Sequence, residues 1–165
     1  MNSVQDEITK VVLETLSKAN DILVKNGCRK IERPVIAFTS RVSRSAGKAG
    51  LKRDRLYLQF NLRIAEANFE MFINDTPFHE VAHLMDYIYY GKLGHGSTWE
   101  HCCRLLGYNP SRFHRMVVPG MRRYTCPCGD HFNISNLIHR RIQSGQKRTC
   151  RRCGGVIFPV TEVTA

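Results

Sequence analysis

Acidic residues are scarce in this chain, 14 Asp+Glu against 25 Lys+Arg, which leaves a formal net charge of +11 over 165 residues. That balance disfavours cationic partners. It favours acidic ones, of which nucleic acid is the commonest, because each Lys or Arg laid on a phosphate releases condensed counterions. A merely solvated basic surface is the competing reading. Long apolar runs are also lacking: none approaches the roughly 18–20 residues of a membrane span, which excludes a helical membrane protein. The start, Met1-Asn2-Ser3-Val4-Gln5-Asp6-Glu7, has no basic flank followed by an apolar block, so a cytoplasmic location is expected. There is no internal repeat and no low-complexity tract, which argues against solenoids and disordered linkers. The seven cysteines are an odd number. Without a secretory signal their expected use is metal binding rather than a disulfide framework.

What is present is a globular composition, 42% apolar and 24% charged, long enough for one domain with a small appendage. Ile8, Val11, Val12, Leu16, Ala19, Ile22 and Leu23 recur at helical spacing, and Gly27 stands where a C-terminal cap belongs. Pro34 to Phe38 is a strand candidate, residues 42 to 50 are small and basic, and Leu56, Leu58, Phe60 and Leu62 alternate with polar neighbours. A small sheet follows from these, its middle strand the least defined. Ile64, Ala67, Asn68 and Met71 turn helical up to a break at Asn74-Asp75. Thr76 then caps a helix with Pro77 in its first turn, Phe78, Val81, Ala82, Met85, Ile88 and Tyr89 forming its apolar stripe. Gly91 and Gly94 end it. Ser97 and Glu100 have the spacing of a capping box for one more helix, running to about Leu106. From 111 to 153 there are ten Lys/Arg against the single acid Asp130, a shift that marks a second module starting near residue 121.

His79-Glu80-Val81-Ala82-His83 is an H-E-x-x-H motif on the expected helix. Residues i and i+4 share a face, so both imidazoles can meet one zinc ion, and Glu80 is placed as general base. Composition alone would yield such a match about 0.014 times in a chain like this. A catalytic zinc keeps three protein ligands and an open position, where it acidifies water. His95, returned by the Gly91 to Gly94 reversal, is the best-placed third ligand, with His101 and His114 as rivals. Asp86 is read either as an orienting carboxylate behind a ligand imidazole or as an exposed helix residue. The extended protease pattern with Gly three residues after the second His is absent, since Asp86 holds that position.

Cys126-Pro127-Cys128 and Cys150-Arg151-Arg152-Cys153 form a second cluster. Two pairs at this separation read as the knuckles of a structural zinc ribbon, in which four thiolates close the tetrahedron. Cys126-x-Cys128 is tighter than usual, so His131 competes with Cys128 as fourth ligand. Cys28, Cys102 and Cys103 have no such pattern and read as ordinary buried thiols.

Taken together, His79-Glu80-Val81-Ala82-His83-Leu84, His95-Gly96-Ser97-Thr98-Trp99, Cys126-x-Cys128-x-x-His131 and Cys150-x-x-Cys153 resemble the SprT-like metallopeptidases, which include the protease domain of Spartan. The resemblance covers nearly the whole chain. It implies an α+β, zincin-like minimal metalloprotease domain over 1–120 and a zinc ribbon over 121–160. It further implies a catalytic zinc on His79, His83 and His95, Glu80 as base, and a structural zinc on the cysteines. By analogy the substrate would be protein associated with DNA, as in crosslink repair. The expected nucleic-acid contacts, without sequence preference, are Arg140, Arg141, Arg151 and Arg152, and a monomer is favoured. The reading from a different class is a nucleic-acid-binding zinc protein without protease activity.

Overall fold

The computed structural model describes residues 3–111 and 114–160. Arg112, one of the ten basic residues counted above, lies outside them. The fold is mixed α+β with two small sheets, and it divides into two compact units that part between Met116 and Val117.

Unit 1 begins with helix α1 (Val4–Lys25), whose 3.6-residue periodicity buries Ile8, Val12, Leu16, Ala19 and Leu23 on one stripe. Its start is fixed by a capping box that the sequence reading did not foresee: the Asp6 N–H donates to Ser3 Oγ at 3.2 Å and the Ser3 N–H to Asp6 Oδ2 at 3.0 Å. Gly27, at φ 73°, ends it as expected. Asn20 then holds the returning chain, accepting the Ile31 N–H at 2.7 Å, and delivers it to strand β1 (Val35–Thr39).

Strand β1 pairs in parallel with β3 (Arg55–Asn61), and β3 pairs antiparallel with β2 (Gly47–Lys52), in the order β1-β3-β2. The small, basic stretch, the least defined strand of the expected sheet, is thus in part a strand, and it lies at the sheet's edge. Its glycines hid the alternation on which strand recognition depends. The hairpin turns on Arg53 and Asp54, both at positive φ (49° and 58°), the combination that matches the right-handed twist of two-residue hairpins. Leu58 and Phe60 point inward and are fully buried, Phe60 meeting Phe72 edge-on at 6.3 Å.

Two short helices, α2 (Leu62–Ala67) and α3 (Phe69–Ile73), lead to α4 (Thr76–Tyr90). Thr76 is not the cap of α4: Asp75 holds that position and Thr76 is the first helical residue. The capping-box reading of Ser97 also fails, since α5 (Ser97–Leu105) is capped by Gly96, without a side-chain bond. At the other end of α5 the Lys18 ammonium donates to the Leu106 carbonyl at 2.7 Å, satisfying a carbonyl the helix leaves open. Cys102 and Cys103 are buried as expected, but Cys28 is only half-buried.

Unit 2 holds a three-stranded antiparallel sheet, β5-β4-β6, of β4 (Arg122–Thr125), β5 (His131–Ile134) and β6 (Phe158–Pro159). A helix absent from the sequence reading, α6 (Asn136–Gln143), follows β5 and is capped by Ser135. The unit's core is small: Tyr124, Cys126, Ile134, Cys150 and Ile157.

Candidate metal centres

In unit 1 the two histidines of the motif lie one turn apart on α4, and the left-handed residue Gly91 (φ 67°, ψ 21°) ends that helix. The chain reverses there and returns His95 to the helix. His95 Nε2 stands 2.9 Å from His79 Nε2 and 3.2 Å from His83 Nε2. A tetrahedral zinc with Zn–N distances near 2.05 Å has edges of about 3.3 Å, close to both separations from His95, and one ligand atom from each of the three rings lies within 4.8 Å of the others. Burial, and then the neighbouring imidazoles, hold His79 down at about pKa 4 and His83 at about 3. Both rings are therefore neutral near pH 7, the form that ligates a metal. His101 is exposed on α5 and His114 is engaged with the Arg44 carbonyl at 2.7 Å, so neither rival joins the group.

Trp99 is the wall of this site. Its indole ring centroid lies 4.7 Å from His79, 5.3 Å from His83 and 4.7 Å from His95, and its N–H reaches the His79 carbonyl at 3.4 Å. One fully buried aromatic thus sets the orientation of all three imidazoles. Asp86 is buried rather than exposed, with the Thr98 side chain and Lys92 as its polar neighbours. It does not reach a ligand imidazole, and burial raises its pKa.

Glu80 is buried against strand β2, where the Ala49 N–H donates to its carboxylate. Burial lifts its pKa to about 8, and nearby Asp75 adds to the rise. Strand and helix come this close only because position 47 is glycine: a Cβ there would stand 2.6 Å from Glu80 Oε1, 2.7 Å from its Cγ and 2.8 Å from Thr76 Cγ2. Gly47 is a site residue that the sequence reading missed, and no short-range pattern marked it. Asp75 and Tyr108 were missed for the same reason. The Tyr108 hydroxyl donates to Asp75 Oδ1 at 2.6 Å, and its ring stacks on Phe78 and lies 6.4 Å from that of His79.

In unit 2, Cys126, Cys128, Cys150 and Cys153 bring their sulfurs within 4.8 Å of one another. Each pair sits in a turn closed onto its first cysteine, by Gly129 N–H to the Cys126 carbonyl (2.9 Å) and Gly154 N–H to the Cys150 carbonyl (2.9 Å). Both glycines have positive φ, 80° and 70°. The Arg152 N–H points at Cys150 Sγ at 3.4 Å and the Gly155 N–H holds the Cys153 thiol down to about pKa 7, whereas the neighbouring Cys126 side chain pushes Cys128 up to about 12. The two N–H donors favour thiolate, the ligating form. His131 opens β5, exposed and outside the group, so Cys128 is the fourth member. Arg140 and Arg141 lie exposed on α6, Arg151 is exposed between the second pair of cysteines, and Arg152 is paired with Asp130 at 3.0 Å.

Three imidazoles and four thiols gathered in this way define a protein with two candidate metal centres. The SprT-like family model matches residues 12–117, and the chain belongs to that family. It is 33% identical over 145 residues to Protein SprT of Pseudomonas paraeruginosa, covering 82% of this chain and 86% of that protein. With Protein SprT of Pseudomonas putida it shares 32% identity over 162 residues, 92% of this chain and 93% of the relative. No solved structure matches the chain significantly.

Proposed function

We propose that the protein is a zinc metalloendopeptidase, with a zincin-like body over 1–120 carrying the catalytic zinc on His79, His83 and His95, and a zinc ribbon over 121–160 held by the four cysteines. The observation that carries this reading is the convergence of three imidazole nitrogens at the motif helix that also carries the buried carboxylate of Glu80. Zinc, when bound, supplies Lewis-acid polarisation of a carbonyl and lowers the pKa of water. Glu80 takes the proton of the attacking water and hands it to the leaving amine. A divalent cation held by the adjacent His79 favours the ionised carboxylate and so opposes the burial that raises its pKa. Strand β2 is an edge strand beside Glu80, so an extended substrate backbone can pair along it and present its scissile bond to that carboxylate.

The substrate we infer is protein associated with nucleic acid, in the cytoplasm, acted on by a monomer. The net charge of +11 supports this, as do Arg140, Arg141 and Arg151, which make no ion pair among the described residues. Arg152 contributes less, being already matched to Asp130. A nucleic-acid-binding zinc protein without hydrolysis accounts for the charge but gives Glu80 no role. The deciding experiment is Glu80→Gln. Hydrolysis of a DNA-binding protein should fall by at least about a thousandfold, the order of magnitude of general-base loss, while zinc content and DNA binding persist. Absence of hydrolysis in the zinc-loaded parent protein as well would favour the second reading.

A further inference from the structure

Strand alternation sends Lys48, Gly50 and Lys52 of β2, and their partners Gln59, Tyr57 and Arg55 of β3, to the side of the first sheet away from the core. Lys48, Lys52 and Arg55 are exposed, and none of them makes an ion pair among the described residues. Arg53 of the hairpin turn extends the same basic strip, and a depression lined by Lys52, Arg53 and Arg55 also takes in Val35 and Tyr57.

Tyr57 gives the strip its chemistry. Its ring lies across Gly50, where a Cβ would stand 2.9 Å from Cε1 and 3.1 Å from Cζ, and this cover is why Gly50 is buried on an open face. The ring therefore packs against the Gly50 backbone and also lines the depression. An aromatic side chain lining a depression among unpaired cations offers a stacking partner to an unpaired base whose flanking phosphates meet the cations. A duplex, whose bases are stacked on each other, cannot use it.

We infer that this face of unit 1 binds single-stranded nucleic acid. The inference extends the nucleic-acid part of the proposed function to a second surface and is independent of the peptidase reading. It also places the strand on the side of β2 opposite the contact between Gly47 and Glu80, so that bound nucleic acid and the candidate catalytic carboxylate share one strand.

The test is binding of the zinc-loaded full chain to a labelled 15-residue oligothymidylate, to a duplex of equal length and to anionic phospholipid vesicles, over a series of salt concentrations. In Lys48→Gln/Lys52→Gln/Arg55→Gln, the slope of log K against log salt for the single strand should flatten by about 2, at roughly 0.7 per phosphate. Tyr57→Leu should weaken the single strand by about tenfold without changing that slope, and Tyr57→Phe should bind as the parent does. A separate Arg140→Gln/Arg141→Gln/Arg151→Gln variant reports on unit 2, so failure of that surface is read independently. An unchanged slope and affinity in the triple variant of unit 1 would overturn the inference. So would a loss confined to vesicles, or a Tyr57→Leu protein, folded by its thermal midpoint, that binds the single strand normally. Should Tyr57→Leu not fold, the triple variant decides.

Discussion

At the scale of single residues, the site depends on a side chain that is missing. Gly47→Ala would drive a methyl group into Glu80 and Thr76, and overpacking of this kind costs about 1–3 kcal/mol. We expect a lower denaturant midpoint together with at least a tenfold loss of hydrolysis, because Glu80 must move; a variant with parental activity would show that the close approach is unimportant. The titrating groups make opposite predictions in metal-free protein. His79 and His83 have folded pKa values below the ordinary 6.5, so the stability they contribute is complete above pH 6.5 and is lost as pH falls toward about 4 and 3. Glu80 is raised from 4.5 to about 8, so its contribution is complete below 4.5 and is lost as pH rises through 8. Glu80→Gln should therefore stabilise the chelated protein more at pH 9 than at pH 5, read as the difference in thermal midpoint. An equal effect at both values would contradict the buried, protonated carboxylate.

At the scale of elements, α4 carries two of the three imidazoles and its end decides where the third returns. Gly91 adopts a left-handed conformation that L residues reach only at a cost, although nothing within 4 Å would meet an added Cβ. The penalty in Gly91→Ala should be purely conformational, about 1 kcal/mol by denaturation, with Gly91→Asn milder because Asn tolerates that region. Zinc affinity at the histidine site should fall alongside stability, since His95 is placed by this reversal. Unaltered affinity would mean that the loop finds His95's position without the cap.

At the scale of the molecule, the two units are expected to depend on metal to different degrees. Two of the five core residues of unit 2, Cys126 and Cys150, belong to its candidate metal group, so removing the ion strips the core of its purpose. Unit 1 buries an extensive apolar core on α1, β3 and α4 that contains no cysteine of that group. Elemental analysis should give about two zinc ions per chain, falling to about one in His79→Ala/His83→Ala and in Cys150→Ala. Only the latter should lose amide protection throughout unit 2 while the helices of unit 1 persist. Two ions retained in the histidine double variant would remove the proposed catalytic site.

Much of this was legible in the sequence because it is local. The stripe of α1, the H-E-x-x-H spacing, the glycines after Tyr90 and the paired cysteines are all separations of a few residues, within which helix and turn geometry already dictate who faces whom. The mixed α+β class and both metal-suited groups follow from such spacings. Other features were decided only by tertiary structure. Gly47 matters because β2 is delivered to α4 from 33 residues away in sequence from Glu80, and Tyr108 because it meets Asp75 across a separation of 33. The sequence already ranked His95 ahead of His101 and His114, and Cys128 ahead of His131, but which of them join the groups depended on where loops return the chain. Periodicity reports which way a residue points along its own element; it carries no information about which distant element stands opposite, and the environment of the candidate catalytic glutamate is made of such encounters.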